Sequence, residues 1–232
     1  HQQQAYYDLV ARCLRATLDD AFADDEQVRR GLPPGVFDCG GAALRRAKRV
    51  KAARTALADT VTGIVAGVLQ RFSVDAALDE MAVDFVAHRL PPTPATLAHQ
   101  ERALGADSRA PQALRRAVRL RSVHWLRVVV DEDDELGEQR ALVFHCTRNR
   151  REHHMDGAHA SEPGCISFPL AVLPALQRLF AAHPKFVPID TLPVDVDEDS
   201  SPAAQLTVRA DQQMALVAAL AAQDLLRVQH RA

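Results

Sequence analysis

The side chains with the widest chemical reach gather between residues 145 and 165, where His145, Cys146, Glu152, His153, His154, Asp156, His159 and Cys165 fall in one short stretch. Imidazole nitrogens, thiolates and carboxylates are the ligands Zn²⁺ takes, so a zinc-dependent hydrolase centred here is one reading of these residues. The spacing opposes it. Structural zinc sites present close pairs such as CxxC or HxxxH, whereas His154 and His159 stand five residues apart. His145 and Cys146, if adjacent on a strand, would point to opposite faces. The expectation is a solvated histidine-rich loop without metal. His145, Cys146, His153, His154, His159 and Cys165 remain zinc candidates on ligand type alone.

A second chemistry is suggested by Arg45, Arg46, Lys48, Arg49 and Lys51, which crowd two helical turns and could neutralise the phosphates of RNA or anionic lipid. No aromatic residue interleaves with them to stack a base, and a solvated helix face accounts for the same pattern. Arg115, Arg116, Arg119 and Arg121 are read in the same way. The acidic run Asp195-Val196-Asp197-Glu198-Asp199 lacks the glycine and glutamate of a calcium loop, since Ser200 and Leu206 occupy those positions. No GxSxG, phosphate-binding glycine loop, GxGxxG or HExxH occurs, and nothing brings Cys146 to His153 as nucleophile and base. No catalytic residue and no cofactor is assigned, and the balance falls against an enzyme.

The elements that must position these groups change character along the chain. Residues 6–22 carry Leu9, Val10, Cys13, Leu14, Leu18 and Phe22 at helical spacing. After a loop punctuated by Gly and Pro, residues 42–72 form the longest periodic stretch, with Val50, Ala53, Leu57, Val61, Ile64, Val65, Val68 and Phe72 along one face. Residues 74–88 are a further helix, stopped by Leu90-Pro91-Pro92. Two short helices are expected over 95–104 and 111–120. Residues 123–130 and 140–146 are rich in β-branched side chains and read as strands, joined by an acidic loop over 131–137. A strand over 165–168 runs into a helix over 169–180. The order then returns, with a strand over 205–209, Asp211 as N-cap, and a helix carrying Met214, Val217, Leu220, Leu225 and Val228 inward.

Composition bounds the rest. The 232 residues are 47% hydrophobic and 25% charged with a net charge of −2, an ordinary globular balance that does not by itself point to nucleic acid or membrane. Aromatics are only 5%, so the core must be Leu, Val and Ala. The best apolar stretch, residues 61–69, is bounded by Asp59 and Arg71, so no membrane span is expected. Cys13, Cys39, Cys146 and Cys165 form no CxxC pair and read as thiols in a reducing compartment, which favours an intracellular and mainly cytoplasmic setting, with an organelle as the other choice. The sequence starts at His1 rather than Met, which leaves a preceding segment open.

Taken in order, these features resemble the COMM-domain family: a helical N-terminal part, a strand led by a Trp in Val123-His124-Trp125-Leu126-Arg127-Val128, a second strand in Ala141-Leu142-Val143-Phe144, and a closing strand and helix at 166–180 or 206–226. Leu126 intervenes where that family places Arg directly after its Trp, and the closing unit occurs twice. The resemblance implies an adaptor in the Commander complex of endosomal cargo recycling, pairing face to face in dimers. Trp125, Leu126, Val128, Val143 and Phe144 would then be interface residues, with Trp125 equally able to serve as a core anchor.

The reading is therefore an α+β protein: a helical domain over 1–120, then a small antiparallel sheet with packed helices over 121–232. Its expected function is that of a non-catalytic protein–protein interaction subunit, with protein partners in a homo- or hetero-oligomer. The alternatives are an organellar or ribonucleoprotein subunit holding RNA through its Arg clusters, and the zinc hydrolase above.

Overall fold

The computed structural model describes residues 5–39, 47–93, 114, 116–133, 137–151, 163–197, 199 and 201–229. Helices dominate the first part and two antiparallel three-stranded sheets the second, so the expected α+β class holds. Contacts divide the chain into two compact units, His1–Met81 and Ala82–Ala232.

The first unit is built from α1 (Tyr6–Asp24), the single turn α2 (Glu26–Arg29), α3 (Lys51–Gln70) and the start of α4 (Val74–Ala87). At the head of α1 the Asp8 carboxylate accepts a hydrogen bond from the Ala5 N–H at 3.0 Å. Asp25 caps α2 by accepting from the Gln27 N–H at 2.8 Å. The buried positions of α1 are Cys13, Thr17 and Ala21, one per turn. All three are small, which lets α1 and α3 approach closely; the Thr17 hydroxyl is satisfied by donating to the Cys13 carbonyl at 2.6 Å. Several of the larger side chains expected to face inward do not: Val10, Leu14, Leu18 and Phe22 on α1, and Val61, Val65 and Phe72 in or just after α3, are exposed, while Val68 is buried as expected. Two surface ion pairs among the described residues of this unit, Arg12 with Glu80 and Arg71 with Asp24, join exposed groups and add little. Within the helix expected over 42–72, the described residues include a 3₁₀ turn, Lys48–Val50, that leads into α3. Lys48–Gln70 is long and apolar enough, by length and composition, to cross a membrane, beyond the short stretch that the sequence offered.

The second unit contains β1 (Ala117–Leu120), β2 (Leu126–Asp133), β3 (Glu138–His145), β4 (Gly164–Pro169), α5 (Leu173–Ala182), β5 (Val187–Pro188), α6 (Pro202–Ala222) and β6 (Leu226–Gln229). One sheet has the order β2-β3-β4 and follows the chain; the other has the order β5-β1-β6 and draws on three separated segments. Leu126 to Asp133 pair with His145 to Glu138, so the hairpin closes later than the acidic loop had suggested. Gly137 takes a φ of 63° at the turn, where a Cβ would be strained.

One core joins both sheets and both helices of this unit. Val118, Leu120, Val143, Leu176, Leu179, Ile189, Leu216, Leu220, Leu225 and Leu226 lie at its centre, each burial of this kind stabilising by about 1.5–3 kcal/mol. The α6 N-terminus is set by Ser201, whose hydroxyl accepts from Ala204 N–H, and by Pro202 in the first turn. Gln213 is buried on α6 and donates through Nε2 to the Leu192 carbonyl at 2.7 Å, tying the helix to the chain after β5.

Two expectations fail here for physical reasons. Residues 117–120, read as the end of a helix, are the central strand β1, because Val118 and Leu120 turn inward while Ala117 and Arg119 turn outward. Residues 205–209, read as a strand, lie inside α6: the Ser201-Pro202 cap starts the helix upstream, and Asp211 is internal to it. Asp224, with a φ of 56°, then ends the helix, and Leu226–Gln229 form a strand instead of continuing it. The last segment is thus helix then strand, and the apparent second strand–helix unit does not exist. The first, β4 leading through a 3₁₀ turn into α5, does. The helix expected over 95–104 lies outside the described residues.

Candidate functional site

Of the residues singled out for chemistry between 145 and 165, His145, Cys146 and Cys165 are described, at or beside the end of the β3–β4 pair. Alternation along β3 sends Ala141, Val143 and His145 to the buried face and leaves Arg140, Leu142 and Phe144 half-exposed on the other. His145 pairs across the sheet with Gly164, and its ring lies directly against that glycine, 1% exposed. Its Nδ1 is 2.8 Å from the Thr147 hydroxyl. Burial, with a smaller contribution from Arg148, lowers its pKa to about 4, so the ring is neutral at physiological pH. Cys146 is 0% exposed, and its N–H donates to the Trp125 carbonyl at 3.0 Å. Burial pushes its thiol pKa up, opposed by Arg89 and a backbone hydrogen bond. Cys165 pairs with Phe144 and is exposed on the opposite face from His145.

The three described zinc candidates are therefore not brought together, and no group of three or more His, Cys, Asp or Glu among the described residues is placed to hold a metal. His153, His154 and His159 lie outside the described residues. None of the four cysteines is in a disulfide.

The interface candidates separate in the same way. Leu126 and Val143 are 3% and 0% exposed, inside the core. Trp125, just before β2, is half-buried and packs against that core. Val128 is half-buried and lines a shallow groove of about 340 Å³ with Arg127, Gln177, Phe180 and Ala181, while Phe144 is on the other face of the sheet. Of the cations proposed for a polyanion, Lys48, Arg49 and Lys51 are exposed at the start of α3, where the helix dipole disfavours positive charge. Arg45 and Arg46 lie outside the described residues.

Two features escaped the sequence. Asn149, 8% exposed, donates through Nδ2 to the carbonyls of Val86 at 2.8 Å, Ala87 at 3.0 Å and Arg89 at 2.8 Å, closing the C-terminal end of α4. An amide has two hydrogens, so at least one is shared, and three surrounding carbonyls fix which way it points. Its Oδ1 is buried without a hydrogen-bond partner. No spacing rule marks such an asparagine. The second is a cationic row on the sheet β5-β1-β6, where Arg119 of β1 stands directly across from Arg227 of β6. Arg121 follows on the same side, its Nε donating to the Leu226 carbonyl at 3.3 Å. Burial lowers its pKa, Asp224 opposes that shift and Arg227 adds to it. Only the alternation along β1, misread as helix, could have disclosed this row.

With this geometry in view, similarity to known proteins can be weighed. No family model matches the chain. It is 27% identical over 212 residues to a bifunctional lysine-specific demethylase and histidyl-hydroxylase NO66 of Branchiostoma floridae, which covers 88% of this chain and 33% of that protein. It is 28% identical over 206 residues to ribosomal oxygenase 1 of Homo sapiens, covering 86% of this chain and 31% of the relative. A NO66 protein of Dictyostelium discoideum is 27% identical over 195 residues, covering 82% and 35%.

The chain is similar to oxygenases. It spans about a third of the length of these relatives. That similarity overturns the COMM-domain resemblance and with it the reading as a non-catalytic adaptor of endosomal recycling: the helix and strand order was shared, but the sequence relationship runs to another group of proteins. The ribonucleoprotein and zinc-hydrolase alternatives fit these relatives no better.

Proposed function

We propose that this chain serves a protein-directed oxygenase, one that hydroxylates histidine or demethylates lysine in protein substrates, with ribosomal proteins as the first class to examine. The observation that carries the reading is the alignment over most of the chain to relatives named for those activities in animals and in Dictyostelium discoideum. To such an enzyme the described residues contribute a rigid frame: two sheets and two helices on a single core, with α4 fixed at its end by Asn149. Action on ribosomal proteins would place the protein inside the cell, in the cytoplasm or in the compartment where ribosomes are assembled.

Protein partners belong to the same proposal. Leu14, Leu18 and Phe22 on α1, with Val61, Val65 and Leu69 on α3, leave much apolar surface open, the kind of surface that another protein or a further copy covers. The test is made in source cells lacking the gene, by mass spectrometry of ribosomal proteins. A one-oxygen addition on histidine, or the removal of lysine methyl groups, should disappear with the gene and return on re-expression. Unchanged histidine and lysine modification across the ribosomal and chromatin fractions would overturn the reading.

A further inference from the structure

We propose that the outward side of the sheet β5-β1-β6 is a docking surface for an acidic segment of a partner protein, whose carboxylates pair with Arg119 and Arg227. Along this sheet Val118, Leu120, Val187 and Leu226 turn into the core, so the alternate positions face away from it. Arg119 and Arg227 are direct cross-strand partners there. Like charges directly opposite one another destabilise a sheet unless something compensates them. Among the described residues, the outward positions Ala117, Arg119, Pro188, Arg227 and Gln229 include no carboxylate, and no ion pair engages either arginine.

Arg119 is already held in place. Its guanidinium lies 4.9 Å over the Phe186 ring, and Nη1 donates to the Pro184 carbonyl at 3.0 Å. Its Nε is buried without an acceptor. A planar guanidinium fixed by stacking loses little freedom when it takes a carboxylate, and its fork suits bidentate pairing. Arg227 is exposed beside it and supplies the second cation.

The same residues select the occupant. A single-stranded nucleic acid needs a track of cations and open aromatic faces on which bases stack. Here Phe186 is covered by Arg119, and Asp224, whose charge acts on Arg121, sets negative charge at the start of β6. A short acidic peptide, presenting one or two carboxylates, fits that frame and a phosphate chain does not. The surface holds whether or not the chain serves an oxygenase.

The test uses the full chain and a fluorescent oligoglutamate peptide, read by polarisation. Binding should be measurable at low salt and fall as salt rises. It should weaken by about tenfold or more in Arg227→Glu, because a like charge then faces the peptide. Arg119→Gln should weaken it too, while Arg178→Glu, on α5 and away from the row, should leave it unchanged. If Arg227→Glu fails to fold by circular dichroism, Arg227→Gln takes its place. The proposal is overturned by no oligoglutamate binding, by binding insensitive to both arginines, or by arginine-dependent binding of single-stranded RNA that exceeds that of the peptide.

Discussion

The imidazole of His145 rests against the α-carbon of Gly164, its cross-strand partner, so closely that a Cβ built on the glycine would meet Cε1 at 2.4 Å and Nε2 at 2.7 Å. The ring occupies the space that any other residue at 164 would need. A histidine treated as a possible metal ligand is thus a packing element, and the glycine is its counterpart.

Gly164→Ala is expected to destabilise the second unit by about 1–3 kcal/mol, the usual cost of forcing extra volume into a packed site, and Gly164→Val by more. Urea unfolding followed by tryptophan fluorescence measures this directly, since Trp125 packs against the same core. A Gly164→Ala midpoint equal to that of the wild type would contradict the packing.

The neutrality of His145 has a pH signature. Its folded pKa of about 4 lies below its ordinary value of 6.5, so between those values the unfolded chain binds a proton that the folded chain does not. Its contribution is complete above about pH 6.5 and is lost as pH falls toward 4, amounting to roughly 3 kcal/mol. Carboxylates titrate in the acid part of that range as well, so the measurement compares unfolding free energies of wild type and His145→Asn across pH. The variant should show the shallower acid slope. Parallel slopes would remove the assignment.

Asn149→Ala should expose the end of α4. Losing the amide leaves the carbonyls of Ala87 and Arg89 without that donor, while Val86 keeps the Arg89 N–H, at a cost of about 1–3 kcal/mol. Amide hydrogen exchange in the last turn of α4 should accelerate before that in β3, and an unchanged exchange pattern would argue that water replaces the amide without penalty.

The cysteines should divide by burial. Cys165 is exposed and should react with a thiol reagent in the native protein, whereas Cys13 and Cys146 should react only after unfolding. Mass mapping of the labelled sites checks this, and native labelling of Cys146 at the rate of Cys165 would show that the end of β3 is open.

How much of this could be read from residues depended on where each element finds its partner. The strands β2, β3 and β4 were recognisable because their partners are near in sequence and their side chains alternate clearly, as at Ala141, Val143 and His145. The helices α1, α3 and α4 were recognisable by period, and their buried faces in part: Cys13 and Val68 are buried as their spacing implied, but small Thr17 and Ala21 complete the buried face of α1, where Leu14 and Leu18 were assumed to do so. The strand β1 has four residues, too few to declare a period against a preceding helical run. Leu225 to Val228 continued the apolar spacing of α6, and only the left-handed turn at Asp224 breaks it. Of the candidate site, the residue types around His145 were visible, but burial decided their role, and neither Gly164 nor Asn149 announced itself. The order of helices and strands, without sequence similarity, led to the wrong family.

The sheet β5-β1-β6 bears on how the chain folds. Its central strand pairs with β6, Leu120 opposite Leu226, and just beyond it the Arg121 side chain donates to the Leu226 carbonyl across 105 residues. Closing so long a loop costs entropy before any contact rewards it, so this sheet is expected to complete after the local β2-β3-β4 meander. During synthesis Leu120 emerges long before Leu226, and until then it is an apolar side chain without its cross-strand neighbour. The nascent chain thus carries an unpaired strand edge while the residues between β1 and β6 are being made, the state in which a chaperone would meet it.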